Sequence, residues 1–168
     1  MVKSGGSDAA IALGSNLGDR RAILEAAVQR LSTLPEVVLT ARSHWYQTQA
    51  VGPPQPDYFN GCVLLKTTLS PPRLLATLLA VEQEFGRERR ERWGPRLLDL
   101  DLLLFADLVL TTPTLTIPHP RMRERAFVLV PLAEIAGQWQ EPVTGKTIAE
   151  LVQQVDCSGV TGLAQAMP

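Results

Sequence analysis

The apolar positions of this chain change period several times, and each change marks an element. Asp8 to Leu13 is a short apolar run that stops at Gly14-Ser15-Asn16-Leu17-Gly18, the pattern of a strand ending in a glycine-bearing turn. Beyond the turn, Leu24, Ala27, Val28, Leu31 and Leu34 recur at three- and four-residue spacing. Asp19 precedes them and can accept from the free N–H groups of a first turn, so a helix is expected. Val37 to Tyr46 reads as a strand, and Tyr58 to Thr67 as another. Between them Gln47 to Asp57 holds Gly52, Pro53, Pro54 and Pro56, which fix φ and remove backbone donors, so this stretch is a loop. Ser70 before Pro71 and Pro72 opens a second helix. Its stripe of Leu74, Leu75, Leu78, Leu79, Glu82 and Phe85 runs to Gly86, expected at the C′ position. Leu97 to Phe105 is the strongest strand. Ala126 to Ala136 and Thr147 to Gln154 read as further helices, the second opened by a Thr147/Glu150 capping box.

The order β-α-β-β-α-β is the split arrangement of a ferredoxin-like sheet with helices on one side. The expected class is therefore α+β, with the C-terminal helices covering the other face to give an α-β-α layered single domain. A length of 168 residues suits one domain spanning 1–168. Within it, residues 1–7 read as a loose tail and 138–168 as a C-terminal extension without assigned chemistry.

Composition narrows the functions. Apolar residues make up 45% and charged residues 20%, too hydrophobic for intrinsic disorder. A formal net charge of -1 gives no overall field for nucleic acid or an anionic membrane, so a bound anion must be gathered by local groups. Cys62 and Cys157 form neither a CxxC pair nor a Cys/His ligand pattern, which points away from a disulfide framework or a zinc site. No apolar run approaches a transmembrane length, and MVKSGGSDAA lacks a secretory core; the expected location is cytoplasmic.

The chemistry concentrates between residues 87 and 105. A period of two along Leu97-Leu98-Asp99-Leu100-Asp101-Leu102-Leu103-Leu104-Phe105 puts both aspartates on one face and Leu98, Leu100, Leu102 and Leu104 on the other. Paired carboxylates among leucines repel each other and are poorly solvated, and magnesium compensates them while completing its shell with water and substrate phosphates. A solvated strand face or ion pairs to nearby arginines are the alternatives. Directly upstream, Arg87, Arg89, Arg90, Arg92 and Arg96 bring five guanidinium groups, the bidentate partners of phosphate. Glu88 and Glu91 leave a solvated charged loop as the alternative there. Trp93, beside Gly94-Pro95, favours a mobile arm that closes over something flat, since a large aromatic is costly on a polar loop. No G-x-x-x-x-G-K-[ST] motif is present, so phosphates are not held by a P-loop.

Arg92-Trp93-Gly94-Pro95-Arg96-Leu97-Leu98-Asp99-Leu100-Asp101 closely resembles the signature of hydroxymethyldihydropterin pyrophosphokinases. Three further blocks resemble that family in order: Ala12 to Gly18, Pro56-Asp57-Tyr58-Phe59-Asn60, and Pro118-His119-Pro120 with Glu124 to Leu129. The likeness covers about residues 8 to 137. It implies diphosphate transfer from ATP to the hydroxymethyl group of 6-hydroxymethyl-7,8-dihydropterin, with two magnesium ions held by Asp99 and Asp101. It implies that Arg87 and Arg92 are catalytic arginines of the arm, and that Glu82, Arg89, Arg96, His119 and Arg125 lie on the nucleotide side. The pterin would stack between Tyr58 and Phe127, with Asn60 at its ring edge, Thr48 and Val51 contributing from the proline-rich loop, and Trp93 closing over it. No nucleic-acid or membrane partner is implied, and the chain is expected to be a monomer. Ala50 stands where the family commonly has proline, and Thr114 lies where some members carry an arginine, which weakens the loop contacts. His44, in a strand without a second ligand nearby, keeps a structural reading.

Two rival classes share fragments of this pattern. Nucleotidyltransferases also combine a Gly-Ser turn with an Asp-x-Asp strand, but only one helix separates the two; here two strands and two helices intervene. An RNA-recognition domain has the same element order but needs exposed stacking aromatics. Tyr58-Phe59 is all the chain offers, and Asp99 and Asp101 would repel a phosphate backbone.

Overall fold

The computed structural model describes residues 6–49, 56–86 and 97–163. The proposed arm from Arg87 to Arg96, including Arg89, Arg92 and Trp93, lies outside these residues, as do Val51 and Ala50. The first strand, β1 (Ser7–Ser15), leads through the Asp19-capped turn into α1 (Arg20–Ser32). Asp19 caps as expected: its carboxylate accepts from the Ala22 N–H at 3.1 Å. The chain continues as β2 (Val37–Arg42), β3 (Tyr46–Thr48) and β4 (Tyr58–Thr67), then α2 (Pro71–Phe85) behind its Ser70 cap. After β5 (Asp99–Phe105) come a small hairpin of β6 (Leu110–Thr111) and β7 (Thr116–Ile117), and a 3-10 turn at Met122–Glu124. Last are α3 (Ala126–Ala136), α4 (Ile148–Val152) and β8 (Val160–Gly162).

All pairings in the main sheet are antiparallel, in the order β5-β1-β4-β3-β8, with β2 also on β4. The period of two along β1 and β4 sorts their side chains to two faces. Ala9, Ile11, Leu13, Val63 and Leu65 join Leu24, Leu31, Leu74 and Leu78 of α1 and α2 in one core. Ala10, Ala12, Cys62 and Leu64 join Leu129 and Leu132 of α3 and Ile148 and Leu151 of α4 in another. Helices thus pack on both faces of an antiparallel sheet.

Several expectations need correction. The strand expected over Val37 to Tyr46 is broken. Between the pairs Arg42↔Val63 and Tyr46↔Asn60, three residues on one side oppose two on the other. The surplus lets Trp45 turn into the α1/α2 core and donate from Nε1 to Glu25 at 2.8 Å. Gly61 makes room for it, since a Cβ there would lie 2.5 Å from the indole. Leu104 does not share a face with Leu98, Leu100 and Leu102. The ladder to β1 shifts between Ala10 and Ile11, leaving Leu103 as an extra residue, and both Leu103 and Leu104 enter the α3/α4 core. Ser7, expected in a loose tail, already pairs with Thr67, because the β1 ladder extends as far as β4 does. Gly86 ends α2 in extended backbone and not in the left-handed form; a Cβ there would sit 3.3 Å from Leu97. The last helix is shorter than expected, ending at Val152, although its Thr147/Glu150 capping box is formed. Residues 138–163 are not a mere appendage: β8 pairs with β3, and α4 packs on α3.

Candidate active site

Asp99 and Asp101 open β5, opposite Gly14 and Ala12 of β1. Leu98, Leu100 and Leu102 enter the α1/α2 core, so both carboxylates project on the α3 side, half-buried. β5 is an edge strand, and its outward backbone groups need partners. The buried Glu82 of α2 supplies one, accepting from the Leu100 N–H at 2.6 Å. The His119 N–H supplies another, donating to the Leu103 carbonyl at 2.9 Å. Two residues expected on the nucleotide side therefore also brace the strand that carries the aspartates.

His119 is held against this strand in a defined state. Its Nδ1 accepts from the Arg121 N–H at 3.2 Å, which leaves the ring proton on Nε2. Burial lowers its pKa, opposed by the nearby Asp101 carboxylate and reinforced by the positive charges of Arg125 and Arg121. Asp101, His119 and Arg125 are thus electrostatic neighbours. The Arg125 guanidinium lies 5.5 Å from the centre of the Phe127 ring, and Phe127 packs half-buried against the α3/α4 core.

On the next strands, Tyr58 and Asn60 share the face of Cys62 and Leu64. Thr48 pairs with Tyr58 at the end of β3. It shares the face of Tyr46, whose hydroxyl donates to Glu134 of α3 at 2.7 Å. Thr48, Tyr58, Asn60, Asp99 and Asp101 therefore project from one end of one face, the face that α3 covers with Phe127. Thr48 Oγ1 and Asn60 Oδ1 are buried with no hydrogen-bond partner among the described residues, which is unusual for interior polar atoms. Gly14 fits the same corner, where a Cβ would lie 2.9 Å from Asn60 Nδ2 and 3.7 Å from Tyr58 Cδ1.

Residues 10–137 match the family model of 7,8-dihydro-6-hydroxymethylpterin-pyrophosphokinase. The chain belongs to this pyrophosphokinase family. A protein of Synechocystis sp. named 2-amino-4-hydroxy-6-hydroxymethyldihydropteridine pyrophosphokinase is 52% identical over 159 residues, covering 95% of this chain and 82% of that one. A Pseudomonas aeruginosa protein of the same name is 44% identical over 157 residues, 93% and 96% of the two chains. Among solved structures, a Plasmodium falciparum HPPK-DHPS triple mutant superposes with a TM-score of 0.72 at 15% identity. That match covers 89% of this chain and 42% of the longer one, and at such identity it concerns the fold alone.

The metal expected of a pyrophosphokinase can be tested on the donors present. No group of three or more His, Cys, Asp or Glu side chains suited to a metal occurs among the described residues. Two half-buried carboxylates on one face fit a magnesium site, which characteristically takes one or two carboxylates and leaves the remaining positions to water and phosphate. Sequence reasoning missed Gly14 as a member of the corner formed with Asn60 and Tyr58, and it missed Asn16, Arg20 and Gln47, which hold Pro56 and Asp57. Gly14 and Asn16 stand in the block Ala12 to Gly18 that resembles the family, but that likeness gives neither a contact, and Arg20 and Gln47 carry no periodic or motif signal.

Proposed function

We propose that this site transfers diphosphate from ATP to the hydroxymethyl group of 6-hydroxymethyl-7,8-dihydropterin, giving the pterin diphosphate and AMP in folate biosynthesis. The observation that carries this reading is the shared face: Asp99 and Asp101 project on the same side of the sheet as Asn60 and Thr48, whose buried oxygens have no hydrogen-bond partner among the described residues. A pterin edge offers the ring N–H and amino donors that such oxygens accept from. Tyr58 and Phe127 supply apolar area for the flat ring. Asp99 and Asp101 would hold two magnesium ions, which would supply electrostatic neutralisation of the ATP phosphates.

The protein's own groups have defined tasks in this reading. Asn60 and Thr48 orient the pterin so that its hydroxymethyl oxygen faces the β-phosphorus of ATP. That oxygen forms the new O–P bond and releases its proton to solvent, the bond from the β-phosphorus to the α-phosphate oxygen breaks, and AMP departs. His119 is neutral with its proton on Nε2, an N–H donor for a phosphate oxygen on the Asp101 side. The family likeness assigns Arg125, Arg89, Arg96 and Glu82 to the nucleotide, Arg87 and Arg92 to the charge of the transferred group, and Val51 and Trp93 to the pterin. Positioning and electrostatics suffice because such transfers leave little covalent work to the protein.

The strand order β5-β1-β4-β2 supports a ferredoxin-like description of the core, and we read the chain as one domain acting as a cytoplasmic monomer without nucleic-acid or membrane partners. No helix among the described residues is long and apolar enough to cross a membrane. Incubation with ATP, magnesium and hydroxymethyldihydropterin tests the reaction: AMP and the pterin diphosphate are expected in equal amounts. Release of ADP, or turnover of ATP independent of the pterin, would overturn it.

A further inference from the structure

Tyr58, which the proposed function assigns to the pterin, is the first residue of β4. The β1–β4 ladder ends at Ser15↔Phe59, so Tyr58 lies beyond the last β1 partner and pairs with Thr48 of the three-residue β3. Two side chains hold the backbone entering β4 and a third holds the Asp57 carboxylate. Asn16 Nδ2 donates to the Pro56 carbonyl at 3.2 Å, Arg20 Nη1 to the Asp57 carbonyl at 2.7 Å, and Gln47 Nε2 to the Asp57 carboxylate at 2.9 Å. The Arg20 guanidinium also lies 4.1 Å from the centre of the Phe59 ring, in cation–π range.

Phe59 packs on the α1/α2 side of the sheet, opposite Tyr58 and Asn60. A single side chain at the first residue of α1 therefore grips both the peptide before Tyr58 and the side chain after it, from behind the sheet. Fixing the Asp57 carbonyl sets the peptide plane that delivers Tyr58. Fixing the Phe59 ring keeps the alternation that points Tyr58 and Asn60 forward. We infer that Arg20 is a positioning residue for the pterin pocket, acting on Tyr58 and Asn60 without touching substrate. The inference rests on the assignment of those two residues to the pterin.

The test compares Arg20→Ala, Arg20→Lys and Asn60→Ala by steady-state kinetics, with nucleotide-free binding of hydroxymethyldihydropterin followed by fluorescence. Arg20→Ala should raise the KM for pterin about tenfold and weaken direct pterin binding to match, with the KM for ATP unchanged. Arg20→Lys keeps a donor for Asp57 but loses the flat guanidinium over Phe59, so it should fall between, at about threefold. If Asn60→Ala weakens pterin binding while both Arg20 variants leave it unchanged, the positioning role is wrong and the pterin assignment survives. If Asn60→Ala also binds pterin normally, the assignment itself fails. A parallel rise in both KM values, or a loss of thermal stability with normal kinetics in the folded fraction, would reduce Arg20 to a structural residue. Should Arg20→Ala not fold, Arg20→Lys and Gln47→Ala carry the same comparison.

Discussion

Replacing Gly14 with alanine is the smallest change that should separate pterin recognition from the rest of the site. Gly14 lies in the β1 ladder between Asn60 of β4 and Asp99 of β5, and its extended backbone is open to alanine. The cost is contact alone. The new Cβ would lie 2.9 Å from Asn60 Nδ2, closer than carbon and nitrogen tolerate, so the amide must swing or slide by roughly 0.5 Å to regain ordinary contact. An amide displaced that far loses alignment with a ring edge, forfeiting a hydrogen bond made in a buried pocket, about 1–3 kcal/mol. This corresponds to roughly 5- to 150-fold weaker pterin binding. Stability should change little, because alanine is favoured over glycine in a strand by about 0.5–1 kcal/mol, which offsets part of the contact. The assay is the KM and direct affinity for pterin, measured in the wild type and in an Asn60→Ala background. There the methyl has no amide to push, and the second substitution should cost less than about twofold. Equal losses in both backgrounds, or normal pterin affinity in Gly14→Ala, would refute the argument that this glycine exists to seat Asn60.

Asp101→Asn keeps the shape and removes the charge; AMP release should fall by roughly a hundredfold or more, with the thermal midpoint within about 3 °C of wild type, and near-normal turnover would remove Asp101 from metal binding. Glu141 is fully buried and accepts from the Val143 and Thr144 N–H groups and the Thr144 hydroxyl, with Arg123 at 3.4 Å. Burial opposes its charge, but these donors and Arg123 outweigh it and hold its pKa below the ordinary 4.5. A depressed carboxylate stabilises the fold above pH 4.5 and loses that contribution as pH falls through the folded value. Glu141→Gln should therefore cost about 2 kcal/mol at neutral pH by denaturant melts, with a gap to wild type that closes in acid; a gap independent of pH would contradict this. Burial, a hydrogen bond to the Glu134 carboxylate and that group's charge push the Tyr46 hydroxyl up to about 12. Alkaline absorbance titration should find one of the two tyrosines late, and Glu134→Gln should bring it down; an unchanged titration would mean that Glu134 does not hold it.

Much of the fold was legible because burial on one face imposes a period. Tyr58–Thr67 and Ala126–Ala136 have the bounds that their apolar runs suggest, and Asp19, Ser70 and Thr147 cap where their oxygens can reach free N–H groups. What escaped depends on partners distant in sequence. The break at Ser43–Trp45 exists because Gly61, across the ladder, leaves room for an indole. Leu104 changes face because β1 and β5 shift register between Ala10 and Ile11, and no local pattern encodes a bulge. β8 is only three residues long and acquires strand character by pairing with β3. The site followed the same rule. The placing of Asp99 and Asp101 on one face was legible from alternation with leucine, whereas Glu82 stood within a helical stripe and drew its nucleotide-side expectation from the family resemblance alone. Its bond to the Leu100 N–H depends on β5 being an edge strand, a property of the whole sheet.

The two faces of the sheet divide the work in a way that the period of two requires. Tyr58, Asn60, Asp99 and Asp101 project towards α3, and the residues between them, Phe59 and Leu100, together with Leu98, pack towards α1 and α2. A strand residue cannot turn without turning its neighbours, so whatever anchors Phe59 and Leu100 also aims the functional groups beside them. The anchors are polar and specific: Arg20 over Phe59 and Glu82 on the Leu100 N–H. The α1/α2 layer is thus part of the site's geometry although none of it need meet the pterin. Substitutions of these two anchors should accordingly change substrate constants, and the two should differ in which substrate they disturb. Arg20 bears on the strand entry that presents Tyr58 and Asn60. Glu82 bears on the peptide between the two carboxylates.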